Sequence, residues 1–321
     1  MDQEIKIKNI MKRRIYLTLS FFVISVLIGC TSSTSDSELN ADIEDRGYSN
    51  PSRLVSAEWL KTNLEEDNIV IIDVRKAEDY AAGHIPGAVN LLAKTTFQAD
   101  NENGVKGMLP SGDHIAALLS SVGVKPTDTV IIYDGIKNLW SSRGLWGLDV
   151  YGHKDSRLLD GSWAYWSSNG YEVSTTTPSI KASGYKFSGQ PNKNLIANWE
   201  EVLNSVDDPS KIVCDTRGPD EYSGKDVRAA QGGHIPGSKN VNWVVNSSGE
   251  SEEFLPASEL KSIYEGAGIK GDQVVFTLCQ TAVRATHTWF VLQELLGYPT
   301  VKVYDGSWTE WGNADLPIVT R

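Results

Sequence analysis

Cysteine is scarce in this chain, with three in 321 residues. Three thiols cannot close the framework of a disulfide-rich scaffold or furnish a four-thiolate zinc site, and no His/Cys cluster has ligand spacing, so no metal is expected. An excess of positive charge is missing too: Lys and Arg number 30 against 41 Asp and Glu, a formal net charge of −11. That balance argues against a nucleic-acid partner, because broad phosphate binding needs a basic face. The apolar run at residues 15–28, broken by Thr18, Ser20 and Ser25, falls short of the roughly 20 residues a membrane-spanning helix needs. What the chain does have is 40% hydrophobic residues, enough for packed cores and too many for a disordered or collagen-like polymer. Its length fits roughly two domains of about 100–200 residues each.

Lys6, Lys8, Lys12, Arg13 and Arg14 precede the apolar run, which ends Leu27-Ile28-Gly29-Cys30 and leads into Thr31-Ser32-Ser33-Thr34-Ser35. A charged segment followed by a short apolar one is a secretory signal pattern. With its terminal Gly-Cys and serine-rich sequel it resembles a bacterial lipoprotein signal. The resemblance implies that residues 1–29 are removed and Cys30 is lipidated. Residues 30–52 would then form a Ser-rich tether, and the protein would be exported and held to a membrane by its lipid, in the periplasm or at the cell surface. Residues 1–29 carry five bases and two acids, so the remainder is more acidic still and any anion site in it must be local.

The rest of the chain is one unit written twice. Ile71-Ile72-Asp73-Val74-Arg75, Tyr80 and Gly83-His84-Ile85-Pro86-Gly87 in the first half match Val213-Cys214-Asp215-Thr216-Arg217, Tyr222 and Gly233-His234-Ile235-Pro236-Gly237 in the second. Asp215 to His234 spans 19 residues where Asp73 to His84 spans 11, so the second copy holds an insertion near residues 223–231. Leu109-Pro110 and Leu255-Pro256 each open an amphipathic helical pattern that ends at Gly123 or Gly268. Residues 129–133 and 274–278 are short, β-branched apolar runs that predict buried parallel strands. Asp160-Gly161-Ser162-Trp163 and Asp305-Gly306-Ser307-Trp308 then match. Alternating strands and helices predict an α/β fold with a parallel sheet in each copy.

The paired Asp-x-Arg, Gly-His-Ile-Pro-Gly and Asp-Gly-Ser-Trp motifs resemble the tandem rhodanese family of sulfurtransferases. The resemblance implies two tandem rhodanese-like domains, each a mainly parallel sheet flanked by helices: residues 53–173, a linker at 174–194, and residues 195–321. It implies sulfur transfer without a cofactor. Cys279 follows the strand at 274–278 and precedes a helical stretch expected at 285–296. Ligands gather at the strand ends of open α/β sheets, and loop amides with a helix N-terminus favour an anion there. Such surroundings lower a thiol pKa from about 8.5 and raise the thiolate fraction. Cys279 is therefore the candidate nucleophile, to be carried as a persulfide and open to its donor. Arg284 and the loop Gln280, Thr281, Ala282 and Val283 would bind the donor, thiosulfate or 3-mercaptopyruvate, and the acceptor would be cyanide or a thiol. A non-catalytic persulfide carrier is the alternative from another class.

The repeat supplies a control. Asp134 lies 26 residues before Asp160, as Cys279 does before Asp305, so the first copy has a carboxylate where the second has its thiol and is expected to be silent. Residues near Trp140 and Arg143 are expected at the cleft entrance. Four residues separate Cys279 from Arg284, one fewer than in the related dual-specificity phosphatase loops, which favours a sulfur-sized electrophile over phosphate. Asp215, Arg217 and His234 are read as supporting residues: the Asp-x-Arg pairs organise loops and the histidines hold turns, because the silent copy keeps both. Glu221 stands where some tandem relatives have an arginine. Trp308 and Trp311 read as cleft border or core. Cys214 reads as a buried thiol, with a disulfide to Cys279 left open.

Overall fold

The computed structural model describes residues 40–320, so Cys30 and the whole signal pattern lie outside the described residues. No helix among the described residues is long and apolar enough to cross a membrane. Each copy builds a five-stranded, all-parallel sheet. The first contains β1 (Leu54–Val55), β2 (Ile69–Asp73), β3 (Val89–Asn90), β4 (Thr129–Tyr133) and β5 (Ser156–Leu159), in the order β1-β5-β4-β2-β3. The second contains β6 (Ile196–Ala197), β7 (Lys211–Asp215), β8 (Lys239–Asn240), β9 (Val274–Leu278) and β10 (Val301–Tyr304), in the order β6-β10-β9-β7-β8. The apolar runs at 129–133 and 274–278 form the central strands of their sheets because helices cover both faces and leave no solvated side to alternate toward. Every residue of β4 is buried. Val130 pairs with Ser156 and Val275 with Val301, so the two copies share one register.

The helical patterns become Gly112–Ser121 and Ala257–Gly266. The stretch expected at 285–296 starts earlier and changes pitch: an α-helix at Val283–Phe290 passes into a π turn at Val291–Leu295. Its first-copy counterpart is a plain α-helix, Leu139–Tyr151. The first loop takes two left-handed residues, Lys137 and Asn138, where the second takes only Ala282. A π turn consumes one residue more than an α turn, and the bond from Leu296 N to Val291 O absorbs the difference, so both helices end at a glycine of the same register.

The helices Leu139–Tyr151 and Val283–Phe290 pack on each other across the junction of the copies, where Leu145, Trp146, Trp289 and Phe290 share one buried cluster. The two Asp-Gly-Ser-Trp aspartates cross this junction in opposite directions. Asp160 accepts from Phe254 N at 3.0 Å, and Asp305 from Leu109 N at 2.7 Å. Each also holds an arginine: Arg46 on Asp160 and Arg143 on Asp305, both at 2.6 Å.

Arg46 belongs to the segment expected to be a tether, and there the structure differs. Residues 40–52 are packed rather than loose: Ile43 and Tyr48 are buried, the Tyr48 hydroxyl donates to Phe254 O and Leu255 O, and Ser49 N donates to Leu295 O. Apolar and aromatic side chains among the serines give this stretch something to bury. Residues 174–194, read as a linker, are strapped to the first copy by the Ser174–His84 bridge and by Tyr185, which bonds His153 at 2.9 Å and meets Phe187 edge-on.

Candidate active site

Cys279 directly follows β9, and its backbone is held by the serine of the Asp-Gly-Ser-Trp motif. The Ser307 hydroxyl accepts from the amides of Cys279 (3.2 Å) and Ala282 (3.1 Å) and donates to Tyr304 O (2.8 Å). Trp308 N and Thr309 N donate to the carbonyls of Cys279 and Gln280, each at 3.0 Å. These bonds pull the loop carbonyls outward. Ala282 takes φ +60° as N-cap of the helix Val283–Phe290. Among the described residues the amides of Gln280, Thr281 and Val283 have no acceptor, so the loop presents unpaired donors beside the cysteine.

The first copy shows what such a loop holds. Asp134 occupies the position of Cys279, with Ser162 in the role of Ser307: Asp134 N donates to the Ser162 hydroxyl at 2.8 Å and Trp163 N to Asp134 O at 3.0 Å. The Asp134 carboxylate folds back onto its own loop and accepts from the amides of Ile136 (2.8 Å), Trp140 (2.6 Å) and Ser141 (3.0 Å). Burial pushes its pKa up to about 6, with those amide bonds opposing the rise. The first loop is an anion cradle filled by its own side chain.

Arg284 turns to a neighbour. Its guanidinium makes a two-pronged pair with Glu221 at 2.6 and 2.9 Å, and it also adjoins the Cys279 sulfur. Burial opposes the Arg284 charge, but Glu221 and Cys279 outweigh it and raise its pKa. Burial likewise opposes the Glu221 carboxylate, and Arg284 more than offsets this, so that carboxyl lies below its ordinary range. The inserted segment completes the group: Arg228 reaches Glu221 at 3.3 Å and Asp226 at 2.6 Å, while its carbonyl accepts from Gln280 Nε2 at 3.0 Å. The Gln280 side-chain oxygen is buried without a donor among the described residues.

An open sulfur was expected, and the structure differs: Cys279 is only 1% exposed. The loop reaches a cavity of about 590 Å³ through Thr281, opposite Lys94, Gln98, Lys106, Gly107 and Trp140 of the first copy. Gln98 Nε2 donates to Thr281 O at 3.1 Å. Gly107, at φ +78°, comes so near that a Cβ there would lie 2.9 Å from that of Thr281. Trp140 thus lines the cleft as expected, whereas Arg143 does not: it is fully buried, tied to Asp305, Phe97 O and Gly107 O.

The residues read as supporting make the same contacts in both copies. Arg217 grips Asp215 (2.6 Å) and Gly233 O (2.7 Å) and lies 4.1 Å over the Trp308 ring. Arg75 repeats this with Asp73, Gly83 O and Trp163. His234 stacks on Tyr222 and bonds its carbonyl, as His84 does with Tyr80. Trp308 and Trp311 are core residues. His287 bonds Lys137 O across the junction, and burial lowers its pKa to about 3. Cys214 and Cys279 are both free thiols, and burial pushes the Cys214 thiol far up. Ser307 was missed as a loop anchor, although its motif, kept in both copies, was the available signal. The partnership of Glu221 with Arg284 had no signal at all, since 63 residues separate them.

Comparison with known proteins agrees with this arrangement. The rhodanese-like domain family matches residues 56–169 and again 198–314. The chain belongs to the rhodanese family, with two such domains in tandem. It is 36% identical over 289 residues to the "Sulfur carrier protein TtuD" of Thermus thermophilus, covering 85% of this chain and 98% of that one. It is 36% identical over 275 residues to a Saccharopolyspora erythraea protein named "Putative thiosulfate sulfurtransferase", covering 83% and 95%. Among solved structures, the anaerobic ergothioneine biosynthesis enzyme of Chlorobium limicola shares the fold, with a TM-score of 0.75 at 22% identity over 85% of this chain and 71% of that one.

Proposed function

We propose that this protein transfers sulfane sulfur through a persulfide on Cys279, taking it from thiosulfate and passing it to cyanide or a thiol. The Cys279 thiolate attacks the outer sulfur of thiosulfate. A sulfur–sulfur bond forms to Cys279 as the sulfur–sulfur bond of thiosulfate breaks, and sulfite leaves with the bonding pair. Cyanide then takes the outer sulfur as thiocyanate and returns the thiolate. Charge balances in both steps, and neither needs a cofactor.

The observation that carries this reading is the carboxylate of Asp134 on its loop amides. A cysteine persulfide has the outline of an aspartate side chain, its inner sulfur in the place of the carboxyl carbon and its terminal sulfur in that of an oxygen. In the second copy the corresponding loop has unpaired amides, at Thr281 for instance, and a thiol in place of the carboxylate. Those donors would stabilise a persulfide anion where the first copy stabilises its own charge. The first domain is on this account silent, because a carboxylate carries no transferable sulfur.

Initial rates measured at several thiosulfate and cyanide concentrations test the proposal. Parallel double-reciprocal lines are expected, and intersecting lines would contradict a free persulfide intermediate. The covered position of Cys279 and the relative named as a sulfur carrier favour a second reading, in which the persulfide is carried to a partner with little turnover. A stable persulfide that cyanide discharges only slowly would identify it. 3-Mercaptopyruvate is the competing donor, ranked by kcat/KM under identical conditions. We also propose export and lipid anchoring through Cys30, on the signal pattern alone. Cys30→Ser should move the protein from the membrane fraction to the soluble one, and an unchanged distribution would contradict the anchor.

A further inference from the structure

The cation that ends the catalytic loop is not free to meet a donor, because both prongs of Arg284 rest on Glu221. Glu221 is itself nearly enclosed, with a side chain 6% exposed, and a second guanidinium, Arg228, reaches it from the insertion. Arg228 is answered in turn by Asp226. Two cations thus face two carboxylates, so this group has no surplus positive charge to offer an incoming anion; Lys94 and Lys106 stand apart from it, across the cavity from the loop. A doubly charged donor must displace or approach a fixed carboxylate to reach Arg284, whereas a singly charged donor meets about half the repulsion.

This group occurs only where the thiol is. Four residues beyond Arg75 the first copy has Asp79, which is exposed, and at the register of Arg284 it has Leu139. The insertion carrying Arg228 is absent there as well. Features of the fold, such as the Asp-x-Arg pair and the stacked histidine, recur in both copies. The Glu221 clamp does not, which assigns it to the chemistry rather than to the scaffold.

We propose that Glu221, held between Arg284 and Arg228, is a specificity-determining residue that makes the site favour singly charged sulfane-sulfur donors over doubly charged thiosulfate. The inference rests on persulfide formation at Cys279: thiosulfate remains a donor, at a lower kcat/KM than a singly charged one. A methanethiosulfonate anion is the matching probe: the thiolate takes its outer sulfur and methanesulfinate leaves with the bonding pair, the same step with one negative charge fewer on donor and leaving group.

The test compares kcat/KM for thiosulfate and methanethiosulfonate in the full chain, with persulfide on Cys279 followed by mass. Glu221→Gln keeps the size and one acceptor while removing the charge. It should raise the thiosulfate-to-methanethiosulfonate ratio by roughly tenfold, the scale of one elementary charge across a partly buried site. Arg228→Gln, at a half-exposed position, should lower the same ratio. A ratio unmoved by Glu221→Gln, or moved downward, overturns the proposal. Should that variant not fold, Arg228→Gln decides alone, a fall supporting the filter and no change overturning it. Wild-type protein that loads sulfur from neither donor would overturn the persulfide reading itself, and the filter with it. Loading from both at ratios indifferent to the two variants overturns the filter alone.

Discussion

The two copies differ at the side chain that follows the central strand, Asp134 in one and Cys279 in the other. Both hang a loop from a buried central strand, and both pin it with the serine of Asp-Gly-Ser-Trp. In the first copy that side chain is a carboxylate, which accepts from the amides of Ile136, Trp140 and Ser141. In the second it is a thiol, which leaves amides unpaired. The comparison teaches that a duplicated scaffold can hold the same loop in two states: one closed by its own carboxylate, the other with amides left unpaired. It also sorts the remaining residues. Arg75 and Arg217 recur on their aspartates in both copies, whereas the Glu221–Arg284 pair occurs in the second alone.

Substitutions in matched pairs can break or sharpen this contrast. The largest effect should come from the strand-end side chains. Cys279→Ser is expected to lower steady-state sulfur transfer by at least about a thousandfold, the usual cost of removing a nucleophile, while Asp134→Ser leaves the rate within about threefold. Thiocyanate production measures both. Next come the crossing aspartates. Arg143 and Asp305 form a buried pair, and Arg143→Ala leaves that carboxylate enclosed and unpaired at a cost of about 3–5 kcal/mol. Arg46→Ala on Asp160 should cost less, because Arg46 is partly exposed and water can take its place. Denaturant unfolding ranks the two.

A smaller effect should appear in pH dependence. The Asp134 carboxyl, at about 6 in the folded protein against an ordinary value near 4, binds its proton more tightly when folded. Its stabilisation is complete below pH 4 and is lost as pH rises through 6. Wild type should therefore gain stability relative to Asp134→Asn between pH 7 and pH 4, by on the order of 2 kcal/mol. Melting temperatures of both proteins across that range check the sign, and a wild type that loses ground on acidification would contradict it. The loop anchors differ from each other by one amide. Ser307→Ala strands two amides and Ser162→Ala one, at about 1–3 kcal/mol per unsatisfied group, and only the former should slow persulfide formation.

Much of this was legible in the sequence because repetition exposes it. Strands β4 and β9 are apolar runs with no competing period. The gapless spacing from Asp134 and Cys279 to their Asp-Gly-Ser-Trp motifs aligned the two loops before any geometry was known. Three things were hidden. The packing of residues 40–52 depends on Tyr48 finding a partner more than 200 residues away, which no local pattern encodes. The π turn after Phe290 settles a one-residue debt incurred by the loop and is invisible to spacing, since the sum is unchanged. Glu221 was noticed as a departure from an arginine, but its grip on Arg284 arises only when the end of β7 and the start of the helix Val283–Phe290 meet at one sheet edge.

The central claim is that Cys279, and nothing in the first copy, receives sulfur. Intact-mass analysis of wild type and Cys279→Ser after brief incubation with thiosulfate tests it most directly. One added sulfur atom on the wild type, mapped to the peptide containing Cys279 and absent from the variant, is the result this account predicts. Sulfur loaded equally on the variant, or mapped to Cys214, would contradict it.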